Sequence, residues 1–261
     1  MIAIVSIDDA RVAQYRWLTD PAALLRAGLF VVEGRLVLRR ILALSRFRVR
    51  SILLTQTAYD ALDEALVDAD LPVYVADQSV MNGLAGFHIH RGCLALAERP
   101  PATTIDALPL TAARRLLVLE GVNNPDNVGG IFRSAAAFGV DAVLLGPDCG
   151  DPLYRKAIRT SMSGCLQVPF ASAGSWPDAL TTLRQRGFRV VALTPAPDAR
   201  PLDDVPRNLD RGALLVGAEG HGLSAAALAA ADQRVRIVMA GSGDSLNVTV
   251  AASIALHHFS V

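Results

Sequence analysis

Residues 116–139 read LLVLEGVNNPDNVGGIFRSAAAFG, an apolar run, a polar turn with two adjacent glycines, and a helical pattern. The run LLVLEGV (116–122) has no polar alternation, which marks a strand buried on both faces. The same unit recurs downstream. Apolar strands are expected at AVLLG (142–146), RVVALTP (189–195), ALLVGA (213–218) and RVRIVM (234–239). Helical patterns follow at 154–162, 176–187 and 224–231, and LNVTVAASIALHHF (246–259) closes the series. Buried strands alternating with helices specify an α/β fold with a parallel sheet covered on both sides. Ligands of such sheets bind beyond the carboxyl ends of the strands, which directs attention to the loops after residues 122, 218 and 239.

Upstream, ERPPATTIDALPLTAA (98–113) has three prolines and little periodicity and reads as an interdomain linker. The chain is therefore divided into residues 1–105 and 114–261. The first part alternates a helix over 33–45, with Leu36, Ile41 and Leu44 inward, a strand at 49–55, a helix at 58–69, and strands at 72–76 and 92–98. This is a small α/β layer. The 261 residues are 52% hydrophobic and 19% charged, with 25 basic against 25 acidic residues, which excludes disorder and a purely electrostatic nucleic-acid binder. No apolar run reaches the ~18 residues of a membrane-spanning helix, and no signal-peptide pattern opens the chain. Cys93, Cys149 and Cys165 are scattered without metal spacing, so no metal is expected and a reducing cytoplasm is. Lys156 is the only lysine among the 25 basic residues; arginine's planar fork suits phosphate, although a GC-rich coding sequence explains the bias as well.

Each of the three loops, taken alone, has an ordinary explanation. In Asn123–Arg133, Gly129 and Gly130 open the approach to a helix N-terminus, Asn127 precedes that helix and Arg133 lies inside it; an Asx turn and a surface arginine would look the same. Gly217–Ser224 orders its glycines G-x-x-G-x-G, the reverse of a dinucleotide fingerprint, and Ser224 suits a helix cap. In the third loop, Ser245 or Asn247 could simply cap the last helix.

Jointly the loops are specific. Asn127 to Arg133, GAEGxGL from Gly217 and SLNVTVA from Ser245, in that order, resemble the three signature motifs of the SpoU (TrmH-type) branch of the SPOUT RNA methyltransferases. FVVEGRLVLRRIL (30–42) and HRGCLALAE (90–98) resemble that family's N-terminal substrate-binding domain. The resemblance implies a C-terminal α/β knot, a parallel sheet threaded as a trefoil, beside a small N-terminal α/β RNA-binding domain. It implies a homodimer and methylation of a ribose 2′-hydroxyl in ribosomal or transfer RNA, ribosomal favoured. It implies S-adenosylmethionine held by groups at Gly217, Ile237 and Leu246, with Gly222 and Met239 in the neighbouring turns.

The catalytic set implied in the same way is Asn127, Arg133, Glu219, Ser245 and Asn247. Arg133 matches the family's catalytic arginine. Because a guanidinium stays protonated, gripping a phosphate and stabilising developing alkoxide charge suits it better than accepting a proton. Asn127 and Glu219 are expected to orient Arg133 or meet the ribose. Val238 stands where a proline often precedes the methionine, and Thr249 replaces a frequent serine. Arg35, Arg39, Arg40, Arg46, Arg48 and Arg50, uninterrupted by an acid, form the expected RNA-contacting cluster, with Arg155, Lys156 and Arg159 as a second. The alternatives are a non-catalytic RNA-binding protein that retains the fold and a nucleotide-dependent dehydrogenase, whose fingerprint is missing.

Overall fold

The computed structural model describes residues 1–62, 66, 70–240 and 245–260. Two compact units divide the chain. The first comprises Met1–Pro101 with Leu153–Leu166; the second comprises Ala102–Pro152 and the chain from Gln167 onward.

The second unit begins with strand β6 (Arg115–Glu120), whose last five residues are all buried, in keeping with its unbroken apolar run. Its parallel partners are β7 (Ala142–Leu145) on one side and β11 (Gly212–Gly217) on the other. The remaining strands are β8 (Phe170–Ser172), β9 (Arg189–Leu193), β10 (Arg200–Pro201) and β12 (Gln233–Arg236), giving the order β10-β12-β9-β11-β6-β7-β8. Every pairing in this sheet is parallel, as the buried runs require. The strand order turns back between β6 and β11, where such sheets leave a crevice at their carboxyl ends.

Helices α5 (Pro125–Ala137), α8 (Asp178–Gln185), α9 (Ala225–Ala230) and α10 (Val248–Ser260) realise the predicted helical patterns. Two differences concern boundaries. Asn124 caps α5 through its side chain and Pro125 occupies the first turn, so Asn127 is a helical residue, buried, and does not precede the helix. The strand expected over 234–239 ends at Arg236 because Ile237 and Met239 line a cleft, whereas Val238 is 56% exposed. Residues expected to form a linker also pack: Leu108, Leu110 and Ala113 are buried in this unit's core, and Thr104 bridges Ser172.

The first unit has a five-stranded sheet of order β1-β4-β3-β5-β2, from β1 (Ile2–Ile4), β2 (Leu29–Glu33), β3 (Val49–Leu54), β4 (Val73–Ala76) and β5 (Cys93–Glu98). Strands β1, β4 and β3 are parallel, and β5 runs antiparallel to both β3 and β2. Its helices are α1 (Pro21–Arg26), α2 (Arg35–Leu42), α3 (Gln56–Asp60), α4 (Gln78–Ala85) and α6 (Arg155–Thr160). The short α7 spans Gly164–Gln167. The helix expected over 58–69 is seen at its start as α3; residues 63–65 and 67–69 lie outside the described residues. In α2 the inward face is Val37, Leu38 and Ile41, and Leu36 points out, 43% exposed. The (i, i+4) stripe from Val37 to Ile41 outweighed the expected Leu36 register.

Segment 153–166 joins this unit through Arg155, whose guanidinium is 2.6 Å from the buried Glu33 carboxylate and lies over the Phe87 ring. Arg46 donates to the Leu166 carbonyl at 2.6 Å. Burial pushes the Cys93 thiol up to about 12, so this cysteine behaves as a small apolar residue.

Candidate functional site

At the carboxyl ends of β9, β11 and β12, a cleft of about 290 Å³ opens in the second unit. Five of its described lining residues are those expected to hold a cofactor: Gly217, Gly222, Ile237, Met239 and Leu246. Glu219, Ser245 and Asn247 line it as well. The second and third loops thus converge on one space.

Local backbone chemistry explains the glycines of the second loop. Gly220 and Gly222 have φ of 90° and 68°, the left-handed region, and Gly222 N–H donates to the Ala218 carbonyl at 3.1 Å. A Cβ on Gly217 would lie 2.5 Å from both Gly222 C and Leu223 N, so the loop folds back over a position that tolerates no side chain. The loop is anchored at its far end by Glu120, buried at the end of β6. Glu120 accepts from the Ser224 backbone N–H at 2.9 Å and from Trp176 Nε1–H at 2.7 Å. Ser224 then caps α9 by accepting from Ala227 N–H.

The third loop is held by Asn247. Its Nδ2 donates to Asn127 Oδ1 at 3.1 Å and to Glu219 Oε1. Its Oδ1 accepts from Thr249 N–H at 2.9 Å, capping α10. Because one end of the amide faces two acceptors and the other a donor, its orientation is determined. One side chain from each signature loop therefore meets at Asn247. Gly130 of α5 permits this meeting: a Cβ there would lie 2.6 Å from Thr249 Cγ2 of α10. Gly130 thus admits a helix of the chain itself to the N-terminal half of α5.

Arg133 stands apart from this meeting. It is exposed on α5, does not line the cleft, and makes no hydrogen bond or ion pair among the described residues. Asn127 and Glu219 bind Asn247; neither orients Arg133. Ser245 is exposed at the cleft rim. Gly241 and Gly243 lie outside the described residues. Sequence reading missed Thr194 and Pro195, which line the cleft after β9. The same carboxyl-end rule applied to RVVALTP would have found them.

The arginine cluster does not form one face. Arg35 sits where β2 ends, whereas Arg48 and Arg50 flank the start of β3, 3.5 and 3.6 Å from Glu98. Arg39 donates to the Ala61 carbonyl at 2.8 Å. Arg40 is exposed. Among the described residues no helix is long and apolar enough to cross a membrane, and no cluster of metal-ligating side chains occurs.

A Mycobacterium bovis protein named an uncharacterized tRNA/rRNA methyltransferase is 44% identical over 256 residues, 96% of this chain and 88% of that protein. The 23S rRNA guanosine 2′-O-methyltransferase RlmP of Bacillus subtilis is 33% identical over 149 residues, 57% of this chain and 59% of its own. The crystal structure of the SpoU methyltransferase AviRb from Streptomyces viridochromogenes, in complex with the cofactor AdoMet, superposes with a TM-score of 0.82 at 25% identity. It covers 97% of this chain and 98% of that one. The model of the SpoU rRNA Methylase family matches residues 114–257, which include all three loops. The chain belongs to the SpoU rRNA Methylase family.

Proposed function

We propose that this protein methylates a ribose 2′-hydroxyl of RNA, ribosomal RNA in preference to transfer RNA, using S-adenosylmethionine. The observation that carries the reading is the convergence of the second and third loops on one cleft, tied to the first loop through Asn247. The cleft's chemistry fits the cofactor. Ile237, Met239, Leu246 and Val216 offer apolar surface to a base, and the Gly217–Gly222 turn offers backbone groups unobstructed by side chains. When bound, S-adenosylmethionine supplies the methyl group as an activated sulfonium.

The protein's part is mainly alignment, since an in-line displacement needs the hydroxyl oxygen held near contact with the methyl carbon. Asn247, locked by Asn127 and Glu219, presents a rigid edge to the site. Glu219 is the one carboxylate among the described lining residues, and it can take the hydroxyl's proton while the methyl carbon's bond to sulfur would give way to one to oxygen and a neutral thioether would leave. Arg133, free of intramolecular partners among the described residues, offers its fork to an RNA phosphate and to charge developing on oxygen. Relatives named for RNA methylation support the substrate class, and RlmP supports the 2′-hydroxyl and ribosomal RNA. The knotted threading, a homodimer using the exposed Val250 and Ile254 of α10, and a cytoplasmic location belong to the same reading.

The test is methyl transfer to ribosomal and transfer RNA transcripts with 2′-O-methyl mapping, for the native chain, Arg133→Ala and Arg133→Lys. Loss of transfer in both variants with cofactor affinity retained is expected, because a point charge does not reproduce a fork. Near-native transfer by both variants would remove Arg133 from the site, and absence of any ribose methylation by the native chain would sink the function.

A further inference from the structure

A second cavity of the second unit, about 570 Å³ and open, lies at the opposite end of the sheet from the cleft. Strand β9 runs between the two: Leu193, its last residue, lines the cleft, and Arg189, its first, lines this cavity. Thr181, Arg184 and Gln185 of α8 line it as well, with Asp232 just ahead of β12. Asp232 sets the geometry. Its Oδ1 accepts from Arg184 Nε–H at 2.7 Å and its Oδ2 from Val190 N–H at 2.8 Å. The one acid among the described lining residues is thus offset, and Arg184 is oriented through Nε with both Nη groups left over. Arg189 is exposed, and its side chain makes no hydrogen bond or ion pair among the described residues.

The same edge carries further open guanidiniums. Arg115 and Arg189 both pair in register with Gly212, one from each side of β11, so their backbones stand at one level, about 10 Å apart across two strand spacings. Arg114 precedes Arg115, and both side chains are exposed and unengaged among the described residues. The other arginines here hold the fold: Arg186 pairs with Asp106, and Arg211 donates to the carbonyls of Leu110, Ala113 and Arg186. Asp141 accepts from the backbone N–H groups of Arg114 and Arg115, and Asp210 is exposed. One fork suits one phosphate, whereas a row of forks along neighbouring strand ends suits a chain of them. We propose that the amino edge of this sheet binds the sugar–phosphate backbone of the RNA substrate, with Arg184 and Arg189 gripping it in the cavity and Arg114 and Arg115 further along. An RNA held both there and at the cleft passes round the second unit, so recognition extends beyond the methylated nucleotide. The proposal rests on the RNA reading given above and deepens it.

The experiment is filter binding of an in vitro ribosomal RNA transcript over a range of salt. It compares the native chain, Arg115→Gln/Arg189→Gln, Arg115→Lys/Arg189→Lys, and a charge-matched control in the first unit. The control is Arg16→Gln/Arg26→Gln, at two exposed ion pairs. The glutamine pair at the edge is expected to weaken binding about tenfold and to lower the salt slope by about 2. The lysine pair should keep the slope and most of the affinity, and the control should bind as the native chain does. Circular dichroism and S-adenosylmethionine affinity should remain native throughout. Should the glutamine pair not fold, Arg189→Gln alone is measured in its place and should lower the slope by about 1. Unchanged affinity and slope overturn the proposal. So does equal loss in the control or in the lysine pair, or Arg189-dependent binding of inorganic phosphate with RNA binding unmoved. Failure of the native chain to bind the transcript strikes the proposed function instead, which keeps the two failures distinguishable.

Discussion

Gly217 shows how one residue type can set a site. Its position at the end of β11 is a strand position, where glycine ordinarily weakens a sheet, yet Gly222 C and Leu223 N stand 2.5 Å from where a Cβ would be. Gly217→Ala must displace backbone, since no flexible side chain can yield. We expect a stability loss of about 1–3 kcal/mol and a weaker cofactor affinity from the same variant, read by thermal melting and calorimetric titration with S-adenosylmethionine. Native values for both would mean that the loop has slack the geometry denies. The glycine pattern was legible in the sequence as a turn. The contact that demands it was not, because Gly217 and Leu223 meet only once the loop closes.

At the scale of elements, Glu120 joins three of them: its own strand β6, Trp176 ahead of α8, and the first turn of α9. Both carboxylate oxygens are used, and the residue is 7% exposed. Glu120→Gln keeps the shape but turns an NH₂ toward a donor, either Trp176 Nε1–H or Ser224 N–H. One buried hydrogen bond is lost, at a cost of roughly 1–3 kcal/mol. Because the broken link ends the cleft loop, the expected signature is a raised KM for S-adenosylmethionine with a smaller change in kcat. A fall in stability with unchanged KM would make Glu120 a structural residue only. Strands and helices of this unit were readable from periodicity, since each is a continuous buried run or an amphipathic stripe. Boundaries were less so: β12 stops at Arg236 although the apolar run continues, and sequence does not distinguish an apolar residue facing a sheet neighbour from one facing a cleft.

The whole molecule is not two consecutive pieces of chain. Leu153–Leu166 is separated by more than fifty residues from Pro101, yet it packs with the first unit, where Arg155 neutralises the buried Glu33. Arg155→Ala leaves the buried Glu33 with Arg159, 4.0 Å away, as its remaining ion pair among the described residues, so it should destabilise the first unit by roughly 1–3 kcal/mol. Hydrogen exchange along Leu29–Glu33 should then be faster than in the native chain, with the β6 amides unaffected. Equal protection at β2 would show that the pair contributes nothing. By itself the sequence determined the α/β class, the parallel sheet and three loops with a shared signature, because buried strands and glycine turns write their requirements locally. Only the tertiary structure decided that Asn127 and Glu219 meet at Asn247 while Arg133 stands apart. It also divided the arginine run between two ends of one sheet and carried a distant segment back to the first unit. These are contacts between residues far apart in the chain, and periodicity carries no information about which surfaces the folded backbone brings together.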